Sequence, residues 1–318
     1  MIGQEKVGVV FPGQGSQAPG MGKDFFDRLS ICRQTYEEAS DVLGWDIATM
    51  CFGEDERLNL TQYTQPCIVT TEVAMMRGLE ELFGFKSHYF GGHSLGEYAA
   101  LVVAGVWPLK DAVVIVHERG RLMQEAVPAG NGGMMAVIGE SLDVALLLEA
   151  LRGLPIDVAN VNSLKQIVVS GDLGFMAEAE SRLSEKFGKD HPLRFVALNV
   201  SAPFHSRFMA SIEAPFEAFL QRFATTMVPE NAMNVISNYT GGVHATNKDV
   251  IIHNLVQQLS HAVQWVDNMK TLSSFAGRIY EVGPGRPLRA FFQNLNMECT
   301  SLTTLSAAER LFAQNSPI

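Results

Sequence analysis

Short apolar runs alternate with longer amphipathic stretches along most of the chain. Val7–Phe11 is an unbroken apolar run stopped by Pro12-Gly13, the pattern of a strand buried on both faces and followed by a loop. Residues 25–43 carry Phe26, Leu29, Cys32 and Tyr36 on one helical stripe, and residues 68–83 predict a second helix. A strand over 87–90 runs into a helix over 95–103, and a further helix spans 109–125. After residue 200 come a helix over 209–223, a strand near 234–237, a helix over 247–260 and a strand over 278–282. Buried strands alternating with helices predict an α/β fold on a parallel sheet.

The segment 128–200 departs from that rhythm. After Pro128-Ala-Gly-Asn-Gly-Gly133, the pattern predicts a strand (134–138), a helix (142–152), two strands (156–161 and 166–170), a helix (173–187) and a strand (193–200). This βαββαβ order is the ferredoxin-like split unit. We therefore expect a small subdomain at 128–200, inserted into a large subdomain of residues 1–127 and 201–318. The last dozen residues are expected to be loosely held.

Composition narrows the function classes. With 318 residues, 47% of them hydrophobic, the chain can bury a large core in one or two domains. Acidic residues outnumber basic ones 34 to 24, and a net charge of -10 repels phosphate backbones, which argues against nucleic-acid partners. Cys32, Cys51, Cys67 and Cys299 form no C-x-x-C pair, so neither a zinc site nor a disulfide framework is expected. The N-terminus lacks a signal-like apolar segment, and the longest apolar stretch, 98–107, is far shorter than the ~20 residues of a membrane span. A cytoplasmic protein without membrane partners is expected.

The candidate chemistry centres on Gly91-Gly-His-Ser-Leu-Gly-Glu97. Small residues two before and two after Ser94 allow a strained strand-to-helix turn that lifts the hydroxyl above a sheet and leaves the next N–H facing a reacting oxyanion. A serine hydroxyl needs a base. Of eight histidines, His93 adjoins Ser94 and projects elsewhere, whereas His205 in Ala202-Pro-Phe-His205 follows a predicted strand at a loop end. No Asp or Glu stands ready to orient His205, and a backbone carbonyl can serve instead. In Phe11-Pro-Gly-Gln14-Gly-Ser-Gln17, glycines flank Gln14 without the signature of a phosphate loop, so this segment can pass close to Ser94 and offer a donor. Arg119 sits in an otherwise apolar helix; a buried guanidinium there calls for an anion, and a carboxylate suits it best.

Together these motifs resemble the malonyl-CoA:acyl carrier protein transacylases and the acyltransferases of polyketide synthases. The resemblance runs from the Gln14 segment to Glu281-Val-Gly-Pro-Gly285, through Gln62-Tyr-Thr-Gln65-Pro66, the Ser94 turn, Arg119–Pro128, Asn160-Val-Asn162-Ser163 and the His205 motif. It implies an α/β-hydrolase-like large subdomain with a parallel sheet plus the inserted ferredoxin-like one. It also implies Ser94 as nucleophile and His205 as base and later acid. The oxyanion hole would come from the N–H groups of Gln14 and Leu95, and the carbonyl of Gln264 would orient His205. Arg119 would pair with the malonyl carboxylate, and Gln65, Met134 and Asn162 would line the pocket. Malonyl-CoA would be substrate, with no permanently bound cofactor, and a phosphopantetheinylated carrier protein the partner.

Phe204, before His205, accompanies malonyl rather than methylmalonyl in the polyketide relatives and would crowd a C2 substituent. Residues 158–163 and 201–209 look closer to discrete polyketide enzymes that act in trans on synthases lacking their own acyltransferase. A fatty-acid-synthesis transacylase and a hydrolase clearing stalled carrier thioesters are the alternatives; the latter tend to lose the arginine. Lys186, Lys189, Arg194, Arg207 and Arg286 are candidates for a positive rim toward an acidic carrier.

Overall fold

The computed structural model describes residues 5–128, 130–200 and 202–313; Ser201 and residues 314–318 of the expected loose terminus lie outside them. Among the described residues eight strands, β1 (Val7–Phe11), β2 (Tyr89–Gly92), β3 (Gly132–Ile138), β4 (Ile156–Ser163), β5 (Gln166–Asp172), β6 (Arg194–Ala197), β7 (Arg278–Val282) and β8 (Thr300–Leu302), form two four-stranded sheets. The first, in order β2-β1-β7-β8, is parallel throughout. Its central strand explains the unbroken apolar run: Val9, Val10 and Phe11 are fully buried. Register pairs Phe11 with Gly92, so the carboxyl ends of β1 and β2 lie side by side and discharge their loops into the same crevice.

The second sheet, in order β4-β5-β3-β6, is antiparallel, and its strands all come from residues 132–197. This is the ferredoxin-like arrangement. Alternation along its strands divides the faces. Met135, Val137, Ile167 and Val169 pack with Leu147 and Leu183 of the helices Val144–Ala150 and Met176–Phe187. Met134, Ala136 and Val168 point the other way, into the main core. The sheet is moored through β4: Val161 N–H donates to Val263 O (3.0 Å), Val263 N–H donates to Ala159 O (2.9 Å), and the Asp157 carboxylate takes the Arg207 backbone N–H (2.9 Å) and its guanidinium.

Several elements differ from expectation. The stripe over 25–43 is two helices, Lys23–Arg28 and Ser30–Leu43, because Leu29 is extended and Arg33 Nη1 reaches back to cap the carbonyls of Phe26 and Asp27. The second helix begins earlier, at Thr61, and tolerates Pro66 in its second turn. Residues 234–237 form isolated bridges rather than a strand, with Ile236 N–H donating to Phe90 O at 2.9 Å. The helices Trp265–Phe275 and Pro287–Asn294 were not anticipated. Nor is the C-terminal region loose as far as residue 313: the helix Leu305–Ala313 buries Leu305 and Ala308 and stacks Phe312 near Phe83. All four cysteines are buried and free. Among the described residues no helix is long and apolar enough to cross a membrane, and no cluster could hold a metal ion.

Candidate active site

Ser94 stands between β2 and the helix Gly96–Val103 with φ at 50°, a left-handed conformation rare for a residue with a Cβ. The flanking glycines are steric requirements. A Cβ on Gly92 would fall 1.9 Å from Gly96 C, and one on Gly96 would fall 2.1 Å from Phe11 O. Gly13 obeys the same rule, since a Cβ there would lie 2.4 Å from His93 O. The Gln14 loop is therefore pressed against the serine turn. Neither Gln14 N–H nor Leu95 N–H has an acceptor among the described residues. Asn238 holds the strained turn, its Oδ1 accepting from Ser94 N–H at 2.5 Å and its Nδ2 donating to Gly92 O at 2.7 Å.

His205 also has positive φ, 57°, and is buried with its Nε2 2.7 Å from Ser94 Oγ. Nδ1 meets the carbonyl of Gln258 at 2.7 Å. A carbonyl can only accept, so Nδ1 carries the hydrogen and Nε2 of the neutral ring presents its lone pair to the serine hydroxyl. Burial, followed by the nearby Arg119 charge, pushes His205 down to about 3, so the ring is neutral at physiological pH.

The orienting carbonyl corrects an expectation, which had placed it at Gln264. Gln264 precedes the helix Trp265–Phe275, and its carbonyl is already taken by Asn268 N–H at 2.9 Å. Gln258 lies in the last turn of the helix Lys248–Ser260, where carbonyls lack intrahelical donors. Two of these face His205: Gln258 O takes Nδ1, and Leu259 O takes its backbone N–H at 3.1 Å. The negative end of the helix dipole thus points at the imidazole.

Arg119 is almost wholly buried in the helix Leu109–Glu125. Its Nη2 donates to Ser94 Oγ at 3.2 Å and to Gln258 Oε1 at 2.8 Å, and the guanidinium lies 5.3 Å from the centre of the Tyr98 ring. None of these partners is an anion, and Nε has no partner among the described residues. Burial weighs against the charge. A guanidinium kept there is a candidate binding site for an anion beside the serine.

A cleft of about 500 Å³ opens over Ser94 and His205 between the two sheets. Met134, Asn162 and Phe204 line it, as do Gln14 and Phe291. Asn162 Oδ1 accepts from His93 Nε2 at 2.7 Å, so His93 faces the small sheet and not the serine hydroxyl. Gln65 does not line the cleft. It is buried in the helix Thr61–Phe83, which packs on the Arg119 helix, with Nε2 3.7 Å from Met123 Sδ one turn beyond Arg119. Glu281 accepts from the N–H groups of Leu288 and Arg289 (2.8 and 3.1 Å), fixing the helix whose Phe291 borders the cleft.

Sequence reasoning missed Glu97, Asn238, His244 and Gln258. Glu97 had a signal, lying one residue past the G-x-S-x-G turn in an apolar helix. The others are joined to Ser94 only by folding.

The family model for an acyl transferase domain matches residues 9–287. The malonyl CoA-acyl carrier protein transacylase of Bacillus subtilis (strain 168) is 34% identical over 296 residues, covering 92% of this chain and 90% of the relative. The crystal structure of malonyl CoA-acyl carrier protein transacylase from Clostridium perfringens superposes with a TM-score of 0.88 at 33% identity, over 98% of this chain and 97% of that one. A malonyl-transacylase solved in complex with a type II polyketide synthase acyl-carrier protein matches with a TM-score of 0.87 at 32% identity, over 98% and 100%. With the fold, the serine turn and the cleft all in agreement, this chain belongs to the acyl transferase family, among the malonyl CoA-acyl carrier protein transacylases.

Proposed function

We propose that the chain moves a malonyl group from malonyl-CoA to the phosphopantetheine thiol of an acyl carrier protein, using Ser94 and His205. The observation that carries the substrate is Arg119: a buried guanidinium without an anionic partner, 3.2 Å from the serine hydroxyl. Ser94 Oγ attacks the thioester carbonyl as His205 Nε2 takes the hydroxyl proton. The tetrahedral oxyanion is met by the N–H groups of Gln14 and Leu95. Its collapse breaks the C–S bond, and the proton passes from His205 to the departing coenzyme A thiol. The carrier thiol then gives its proton to His205, attacks the malonyl-serine ester, and leaves Ser94 free with its proton restored. Arg119 grips the malonyl carboxylate throughout, and Phe204 and Met134 bound the space beside the acyl chain. Phe204 would penalise a C2 methyl by only ~1–3 kcal/mol.

Carrier docking draws on exposed positive charge. Lys186 pairs with Glu149 at 2.8 Å and Arg207 with Asp157, so both are locally neutralised. Lys189, Arg194 and Arg286 are exposed without an ion pair among the described residues and suit an acidic carrier better. The motifs at 158–163 and 201–209 favour carrier domains of a polyketide synthase served in trans; the neighbour solved with a type II polyketide synthase acyl-carrier protein supports a polyketide carrier as acceptor. The alternative acceptor is a fatty-acid-synthesis carrier.

Intact-mass analysis after exposure to malonyl-, methylmalonyl- and acetyl-CoA, followed by either carrier, tests the reading. Malonyl on Ser94 that leaves only when carrier is added is the expected outcome, and S94A should stay unlabelled. Loss of the ester to water without carrier would indicate a hydrolase. The acceptor with the higher kcat/KM identifies the pathway.

A further inference from the structure

Glu97 is a fully buried carboxylate three residues after the serine; it makes no direct ion pair with a Lys or Arg among the described residues, and the Arg119 charge acts on it from beyond the Gln258 amide. Such a group persists only where its lone pairs are met by donors. Oε2 accepts from Asn238 N–H at 3.0 Å and from Gln258 Nε2 at 2.6 Å; Oε1 accepts from His244 Nε2 at 2.7 Å. His244 is itself buried, with Asn254 Nδ2 3.5 Å from its Nδ1.

This fixes more than packing. A carboxylate can only accept, so the amide NH2 of Gln258 must face Glu97 and its oxygen must face away. That oxygen meets Arg119 Nη2 at 2.8 Å. The reversed amide would set NH2 against the guanidinium and oxygen against the carboxylate, unfavourable on both sides. The NH2 also donates to Ser94 O at 3.0 Å, while the main chain of the same residue holds His205. Asn238, whose N–H is on Glu97, restrains Ser94 N–H. One carboxylate therefore ties together the clamps on the serine, the histidine and the arginine.

We infer that Glu97 is a positioning residue that acts through the Gln258 amide to aim Arg119 at the substrate carboxylate. The inference rests on the malonyl reading above. Glutamine at position 97 offers an oxygen and an NH2, and so pairs with Gln258 in either orientation, releasing the constraint.

The test is a double-mutant cycle on the ratio of malonyl to acetyl acylation of Ser94, with E97Q, Q258M and the double variant. Q258M keeps the main-chain carbonyl on His205 and removes the oxygen on Arg119. Each single variant should lower the ratio about tenfold, the worth of one hydrogen bond, through a higher KM for malonyl-CoA; any loss of kcat from the missing Ser94 contact falls on both substrates and cancels in the ratio. The double variant should be no worse than either single. Additive losses, or a ratio unchanged in E97Q, would overturn the inference. Should E97Q fail to melt cooperatively, H244Q takes its place, loosening Glu97 while keeping its charge; its effect must vanish in the Q258M background. A wild-type enzyme that takes no malonyl on Ser94 would sink the malonyl reading instead, so the two failures are distinguishable.

Discussion

The two walls of the cleft are built on different principles. On the parallel-sheet side, Ser94 and His205 both sit at positive φ and are held by buried hydrogen bonds from Asn238, Gln258 and Leu259. On the antiparallel-sheet side, Met134, Ala136 and Val168 offer an apolar face from regular strands, relieved by Asn162. Reacting atoms must be placed to within fractions of an ångström, which takes strain and over-determined contacts. A wall that accommodates a substrate arm needs shape and a few amides, which regular alternation supplies. Substitutions on the first wall should therefore abolish chemistry or folding, while those on the second should adjust affinity.

The largest expected effect is on His205. H205A should slow acylation of Ser94 by ~10²–10⁴, measured by rapid-quench labelling; a loss under tenfold would mean another base serves. Next comes the serine turn. Gly92→Ala places a methyl inside backbone, so it should lower unfolding free energy by about 4 kcal/mol or more in urea melts. A melt within 1 kcal/mol of wild type, roughly the surface range, would show that the turn can relax.

Proton linkage separates the walls further. With His205 held down to about 3, acylation by acetyl-CoA should stay level well below the ordinary histidine range as pH falls. Arg119→Ala removes a charge that lowers His205, so its acid limb should move to higher pH; an unmoved limb would remove Arg119 from that role. The sign for stability is the same. The unfolded chain takes up the His205 proton first, so stability conferred by the neutral ring is lost as pH falls from about 6.5 toward 3. The smallest effect is expected where the small sheet is moored. Asp157 and Arg207 are partly exposed, so D157N should cost no more than about 1 kcal/mol and leave Ser94 acylation nearly unchanged.

Legibility followed locality. Val7–Phe11 could be read to the residue because an apolar run ended by Pro is a local signal, and Arg278–Val282 because its strand-prone Ile, Tyr and Val stop at Gly283-Pro-Gly. The βαββαβ order was readable because period-2 alternation repeats in consecutive strands. Leu29 was misread because its break depends on Arg33 capping carbonyls a turn away. Gln258 was missed for a similar reason. Choosing it over Gln264 requires knowing which helix ends against His205, a contact 53 residues distant in the chain.

The sequence by itself determined the serine turn, because Gly92 and Gly96 are steric necessities of a short segment, and it named Ser94, His205 and Arg119 as the groups worth joining. Only the tertiary structure decided how they are joined. The carbonyl on His205 and the amide on Arg119 come from Gln258, far along the chain, and even the Glu97 carboxylate next to the serine turn meets them only through that residue, so hydrogen-bond donors and acceptors can be matched only once those elements are packed. The buried Arg119 without an anion belongs to both: its residue type is written in the chain, and its missing partner became visible only in the fold.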